Sequence, residues 1–291
     1  MQLRPIYTEP DNCQDCYKCI RECPVKAIRM ENNQASIIED RCIYCGHCTQ
    51  VCPTGAKKIR DGLTRAKLTL TQNPKVILSL APSYVSEFEG IHSSVLIAAI
   101  KRLGFTSLSA PALGAETVTD RTEKFLEEAE SGVYISSACP VVVEYIRKYS
   151  PDHVRFITPI ISPMLAHAKI LKQLYGEDVK IVFAGPCICK KLEADYFNNL
   201  VDVVITFKDL KKWFEQSDIN LKNIAPNQPE ARFVPYRSGM GAYYPIEGGM
   251  LKGMQEDKKQ IHHMAFSELS TVKDVLKELD AHRENDSIFL E

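Results

Sequence analysis

The chain has 291 residues, 36 basic against 37 acidic side chains, a net charge of −1, 45% apolar and 25% charged residues. That balance suits a globular chain long enough for two domains, with no basic arm for nucleic acid and no patch for anionic lipid. No apolar h-region opens the chain and no stretch approaches the ~18 apolar residues of a membrane span, so the sequence reads as cytoplasmic, without membrane or nucleic-acid partners.

Residues 1–62 hold a duplicated unit. Cys13-Gln14-Asp15-Cys16-Tyr17-Lys18-Cys19 through Cys23-Pro24 returns as Cys42-Ile43-Tyr44-Cys45-Gly46-His47-Cys48 through Cys52-Pro53. The tails after each proline, Val25-Lys26-Ala27-Ile28 and Thr54-Gly55-Ala56-Lys57, also correspond. Residues 63–74 read as a linker helix, ended by Asn73-Pro74. From residue 75 the texture alternates between strand and helix. Val76–Leu80, 133–135, 180–184 and 201–206 read as strands. Ser93–Leu103, 122–129, 141–148, 164–175, 208–216 and 271–282 read as helices, with residues 220–232 a loop rich in Asn and Pro. The fold class is therefore an α+β ferredoxin-like N-terminal domain followed by an α/β layered domain over residues 75–291.

Eight of the eleven cysteines lie between Cys13 and Cys52. Short, regular spacing in a chain without a secretory signal points to metal ligation rather than disulfides. C-x2-C-x2-C-x3-C-P lets three cysteines hold one [4Fe-4S] cluster while the fourth reaches its neighbour. On that rule Cys13, Cys16, Cys19 and Cys52 hold one cluster, and Cys42, Cys45, Cys48 and Cys23 hold the other. Zinc sites favour pairs of cysteines across a longer spacer, so the pattern speaks for iron. His47 reads as a neighbour of the cluster rather than a ligand.

The other three cysteines sit in motifs that resemble the [FeFe]-hydrogenase family. Ser136-Ser137-Ala138-Cys139-Pro140 is similar to its first cluster motif, Thr-Ser-Cys-Cys-Pro. Pro186-Cys187-Ile188-Cys189-Lys190-Lys191-Leu192-Glu193 is similar to the second, Pro-Cys-x-x-Lys-x-x-Glu. Ala81-Pro82-Ser83, Leu103-Gly104-Phe105 and Gly114-Ala115-Glu116 match the surrounding context. The resemblance implies that Cys139 and Cys187 are ligands of a third cube, that Lys190 donates to a cyanide of a di-iron unit, and that Glu193 balances its charge. It places Pro82 and Ser83 on the opposite side of the pocket and gives Cys189 no ligand role.

Departures from the family pattern shape the functional expectation. The cysteine that passes protons in hydrogen-evolving members is Ala138 here, so no catalytic residue is assigned. Thr122 and Phe125 stand near the positions of relay carboxylates, and Gly185 replaces a methionine over the di-iron site. After Ser287-Ile288-Phe289-Leu290-Glu291, which resembles the strand leading into the third cluster motif, no further cysteine follows. A third [4Fe-4S] cube and a di-iron unit are therefore expected only if the native chain continues past Glu291. The resemblance implies a sensory or electron-relay form with little hydrogen turnover, working with a redox partner or signalling module. Two other readings stay open: a slow hydrogenase whose chain is longer, and an electron carrier or cluster-assembly scaffold.

Weaker signals are read as structural. Ser238-Gly239-Met240-Gly241 places Tyr244 where a dinucleotide loop needs glycine, so these glycines are turns. Ser83 and Ser137 lack a His/Asp partner set, His262 and His263 read as surface residues, and Trp213 as a core anchor.

Overall fold

The computed structural model describes residues 4–226, 232–236, 239–254, 261–279 and 287–291. The N-terminal unit runs β1 (Ile6–Thr8), α1 (Lys18–Arg21), β2 (Ile28–Glu31), β3 (Gln34–Ile37), α2 (His47–Val51) and β4 (Lys57–Ile59). Strand β1 pairs antiparallel with β4, and β2 forms a hairpin with β3. The duplication is visible in the backbone. Asp15 and Tyr17 in the first cysteine loop take positive φ, and Tyr44 and Gly46 do so at the matching positions of the second. Such left-handed steps turn successive amides inward and make a concave loop suited to an anionic group.

Helix α3 (Leu63–Gln72) then leads into the larger unit. There β5 (Val76–Leu80) is buried at every position, as an apolar run in a parallel sheet covered on both faces should be. It is followed by α4 (Tyr84–Glu87), α5 (Ser93–Arg102), β6 (Ser107–Ser109), α6 (Ala112–Glu128), β7 (Val133–Ile135), α7 (Pro140–Tyr149) and α8 (Pro163–Tyr175). The remaining elements are β8 (Lys180–Ala184), α9 (Cys189–Tyr196), β9 (Val203–Ile205), α10 (Phe207–Gln216), β10 (His262–Met264), α11 (Leu269–Leu279) and β11 (Ile288–Leu290). Two parallel sheets result, one in the order β6-β5-β8-β9 and one in the order β10-β11-β7.

Several sequence readings change in physical terms. The helix expected over 122–129 is the second half of α6, which begins behind Pro111. Its glycine, Gly114, is a point of close approach. A Cβ there would lie 2.2 Å from the Pro163 carbonyl oxygen at the start of α8. The strand expected over 201–206 shortens to β9, and before it the Asp202 carboxylate, rather than a strand carbonyl, accepts the Ile181 amide at 2.8 Å. Short elements at β6, β10 and α9 carried no periodic signal. The loop expected over 220–232 contains one 3-10 turn, Leu221–Asn223, and 227–231 lie outside the described residues. Residues 280–282 of the last expected helix also lie outside them, as does Ser238. His262 is exposed as expected, whereas His263 is half-buried with its ring edge-on to Phe289. Trp213 is a core anchor, 4% exposed and T-stacked on Phe105.

The two units share apolar surface. Ile6, Ile28 and Ile43 of the N-terminal unit belong to one core with Ile135, Tyr145 and Ile146, and with Ile188, Leu192 and Ile288 of the larger one. Polar ties reinforce the junction. Arg60 grips Asp195 with two bonds of 2.7 and 2.9 Å, Lys148 donates to the Cys42 carbonyl at 2.7 Å, and Tyr149 donates to those of Arg41 and Val25. No helix among the described residues is long and apolar enough to cross a membrane.

A second core lies under the larger sheet and encloses His167, which is fully buried. Ser109 donates to the Val234 carbonyl at 2.6 Å, so it accepts from His167 Nε2 at 2.7 Å, which leaves Nδ1 to accept from Ser79 at 2.9 Å. Burial holds this imidazole neutral, down to about pH 3. A histidine with a depressed folded pKa contributes stability above its unfolded value, and that contribution is lost as pH falls toward the folded pKa. Between pH 7.5 and pH 5, the His167 share of the stability loss is expected to be about 2 kcal/mol. Urea denaturation at the two pH values checks this: His167→Gln should show a correspondingly shallower pH dependence.

Candidate iron–sulfur and hydrogenase-like site

Within the N-terminal unit the fold regroups the cysteines across the repeats. Burial raises the Cys19 thiol pKa against the opposing charge of Lys57, and the thiols that also act on it are Cys52, Cys13 and Cys16. Burial pushes Cys48 up to about 12 and Cys42 up to about 11, and the thiols around Cys48 are Cys42, Cys45 and Cys23. Each quartet thus takes three sulfurs from one repeat and one from the other, the crossed arrangement that the spacing implies. Among the described residues no three His, Cys, Asp or Glu side chains converge on a single ion. Cys13, Cys16, Cys19 and Cys52 line one small cavity, as the ligands of a single cube would.

Amides point at the sulfurs. Ala27 N–H donates to Cys23 Sγ at 3.3 Å, and Tyr44 N–H to Cys42 Sγ at 3.4 Å. At Cys52, burial pushes the thiol upward, but donors from Lys57, Thr54 and Ala56 outweigh it and the net shift is downward. Because burial holds Cys19, Cys42, Cys45 and Cys48 protonated, loading with iron is coupled to proton release. His47 is half-buried, with Nε2 3.8 Å from Glu22, and is no part of either quartet.

The second quartet abuts the larger unit. Gly46 lies between Cys45 and Cys48 at φ +85°, and a Cβ there would come within 2.5 Å of Ile188 Cδ1. Ile188 in turn separates Cys187 from Cys189. Glycine at 46 suits the left-handed backbone, and its missing side chain leaves room for the Ile188 δ-methyl.

Cys139 and Cys187 come from the ends of adjacent strand–helix units. Cys139 follows β7 and caps α7, whose first residue is Pro140, while Cys187 follows β8 and precedes α9. Each thiol lies within the other's electrostatic reach, and burial raises that of Cys187. Lys190, on the first turn of α9, is buried and donates to the Glu193 carboxylate at 2.8 Å. Burial pushes the Lys190 pKa down, but Glu193 and the Cys187 thiol outweigh it and hold the ammonium charged.

A cavity of about 490 Å³ opens beside these groups, mostly apolar, with Pro82, Ala138, Cys139, Met164, Phe183 and Lys190 in its wall. Ser83 and Glu193 do not line it. Glu193 lines a separate, smaller cavity, shared with Ser137 and Cys189. Cys189 is 1% exposed, a buried thiol raised strongly by burial. Thr122 is buried with its hydroxyl donating to the Val118 carbonyl at 2.8 Å, and Phe125 stacks edge-on against Tyr134. Neither side chain offers a carboxylate.

Gly185, where the family pattern has a methionine, is closely packed here. A Cβ at Gly185 would come within 2.7 Å of the Phe183 ring and 3.0 Å of Ala81 Cβ. Phe183 already occupies that space, and its ring lines the cavity. Sequence reasoning missed Phe183 and Met164 because both sit in apolar runs that read only as core.

Together the fold and the crossed cysteine quartets define an iron–sulfur redox protein. The family described as iron only hydrogenase large subunit, C-terminal domain, matches residues 74–288, and a 4Fe-4S dicluster domain matches residues 5–53. The chain belongs to the iron-only, or [FeFe], hydrogenase family, with an N-terminal ferredoxin-like region. A subunit of the NADP-reducing hydrogenase from Solidesulfovibrio fructosivorans, HndD, is 24% identical over 85% of this chain and 50% of its own length. The chain therefore spans about half the length of that relative. A ferredoxin from Methanothermococcus thermolithotrophicus is 30% identical over 18% of this chain and 90% of its own. The apo [FeFe]-hydrogenase HydA1 from Chlamydomonas reinhardtii shares the fold, with a TM-score of 0.56 at 17% identity, covering 79% of this chain and 81% of that one. The α/β unit thus has the fold of the [FeFe]-hydrogenase catalytic domain.

Removing one partner of a buried ion pair strands the other charge in a medium that solvates it poorly. Lys190 and Glu193 expose only 11% and 12% of their side chains, so Glu193→Ala is expected to cost about 3 kcal/mol. Glu193→Gln, which keeps a hydrogen-bond acceptor, should cost less. Denaturant titration of the two variants provides the comparison.

Proposed function

We propose that this chain is a sensory or electron-relay member of its family, with two [4Fe-4S] clusters passing electrons to or from the hydrogenase-like pocket, and with little hydrogen turnover. Cys13, Cys16, Cys19 and Cys52 would hold the outer cluster, and Cys23, Cys42, Cys45 and Cys48 the inner one. Cys139 and Cys187 would supply thiolates to a third cube, and Lys190, kept charged by Glu193, would donate to an anionic ligand in the adjoining cavity. A di-iron unit bound there would supply the hydrogen chemistry. The relay reading rests most on the Gly46–Ile188 approach, which sets the inner quartet against the turn carrying Cys187.

The low-turnover reading rests on Ala138. Its methyl group lines the cavity beside Cys139 and Lys190, where a thiol would be needed to pass protons. Proton transfer by a positioned side chain is worth about 10²–10⁴ in rate. The retained apolar cavity and the Lys190–Glu193 pair favour a second reading, a slow hydrogenase.

Reconstituted anaerobically, the chain is expected to bind roughly eight irons in its two ferredoxin clusters, or about twelve with a third cube. In the latter case Cys139→Ala and Cys187→Ala should each return the count to about eight. After maturation with a synthetic di-iron cofactor, hydrogen evolution should stay near background and rise about 10²-fold or more in Ala138→Cys. Fast evolution by the unaltered chain would contradict the sensory or relay reading.

A further inference from the structure

The duplicated unit breaks its own symmetry at one buried position. Ala27-Ile28 follows the first prolyl turn, and Ala56-Lys57 stands at the matching place in the second. Ile28 is 6% exposed and Lys57 is 4% exposed. A lysine has thus replaced an aliphatic side chain inside a small core, where an ammonium is strongly disfavoured unless an opposite charge answers it.

The oxygens that Lys57 reaches are neutral. Nζ donates to Thr8 Oγ1 at 2.6 Å and to the Ala35 carbonyl at 2.7 Å, and no carboxylate pairs with it among the described residues. These bonds satisfy donors but leave the charge unbalanced. Sulfur lies on its remaining side. Lys57 lines a small cavity with Cys13, Cys16, Cys19, Cys52 and the exposed Asp15, and its backbone N–H donates to Cys52. Its charge also acts on both quartets, opposing the upward push of burial at Cys19 in one and at Cys48 in the other.

We propose that Lys57 is an electrostatic tuning residue, placed between the two ferredoxin clusters, that raises the reduction potentials of both. Each added electron makes a thiolate-bound cluster more negative, so a nearby cation stabilises the reduced form more than the oxidised one. Burial keeps water from screening that attraction. The neighbour Lys58, half-exposed and paired with Glu9 at 3.4 Å, is screened and has no such leverage. The lysine makes both clusters better electron acceptors, and so better matched to a mild reductant. The inference rests on the two-cluster reading above.

Redox titration of the reconstituted full chain, followed by electron paramagnetic resonance, tests it. In Lys57→Met the equilibrium for reducing each cluster should fall about tenfold, a drop of ~59 mV for a one-electron couple. Lys57→Arg should keep the original potentials, and Lys58→Met should leave them unchanged. If Lys57→Met loads poorly, Lys57→Gln takes its place and should show the same fall. Unchanged potentials in a fully loaded Lys57→Met or Lys57→Gln chain, or an equal shift in Lys58→Met, would overturn the proposal and leave the two-cluster reading standing. An unaltered chain that forms no pair of [4Fe-4S] clusters would overturn that reading together with the proposal.

Discussion

The approach of Gly46 to Ile188 is the constraint on which the other features depend. A backbone with positive φ and no side chain lets the second cysteine loop press directly on the turn between Cys187 and Cys189. The apolar core that surrounds the contact runs without interruption from Ile6 to Ile288. Because that core is shared, the inner quartet cannot shift without moving α7 and α9, the helices whose first turns carry the second site. A ferredoxin tethered only by a linker would have no such fixed distance. Here the relation between the two sites follows from packing, and Arg60, Lys148 and Tyr149 add directional bonds at the edge of the contact.

The larger unit combines retained and lost features of a hydrogen site. Lys190 keeps its carboxylate partner and its place in the wall of an apolar cavity, so a fixed positive charge still faces the pocket. Ala138, in the same wall, offers no proton. Thr122 and Phe125 turn their polar or aromatic groups to local partners. Charge stabilisation is thus intact where proton delivery through these positions is not. That combination is what the sensory or relay proposal rests on.

Much of this was legible in the sequence for a physical reason. Cluster ligation imposes short fixed spacings, so the eight-cysteine repeat pointed to an iron–sulfur region, and the 4Fe-4S dicluster domain matches residues 5–53. Strands such as Val76–Leu80 announced themselves because burial on both faces demands an unbroken apolar run. What the sequence concealed was set by proximity between distant segments. Phe183 fills the space above Gly185, Gly114 admits α8, and Lys57 sits buried between thiols. No local pattern distinguishes these residues from ordinary core, helix breaker or surface lysine. The short strand β10 and the helix α9 were likewise invisible, since each is held by tertiary partners rather than by its own periodicity.

The central claim is that the two clusters are bound crosswise and that the inner one lies against the Cys187 turn. An anomalous difference map recorded at the iron edge from crystals of the reconstituted chain tests it most directly. The account predicts one four-iron peak enclosed by Cys23, Cys42, Cys45 and Cys48 beside Ile188, and another enclosed by Cys13, Cys16, Cys19 and Cys52 farther out. Peaks ligated within single repeats, with Cys13, Cys16, Cys19 and Cys23 around one of them, would contradict it, as would an inner cluster remote from Ile188.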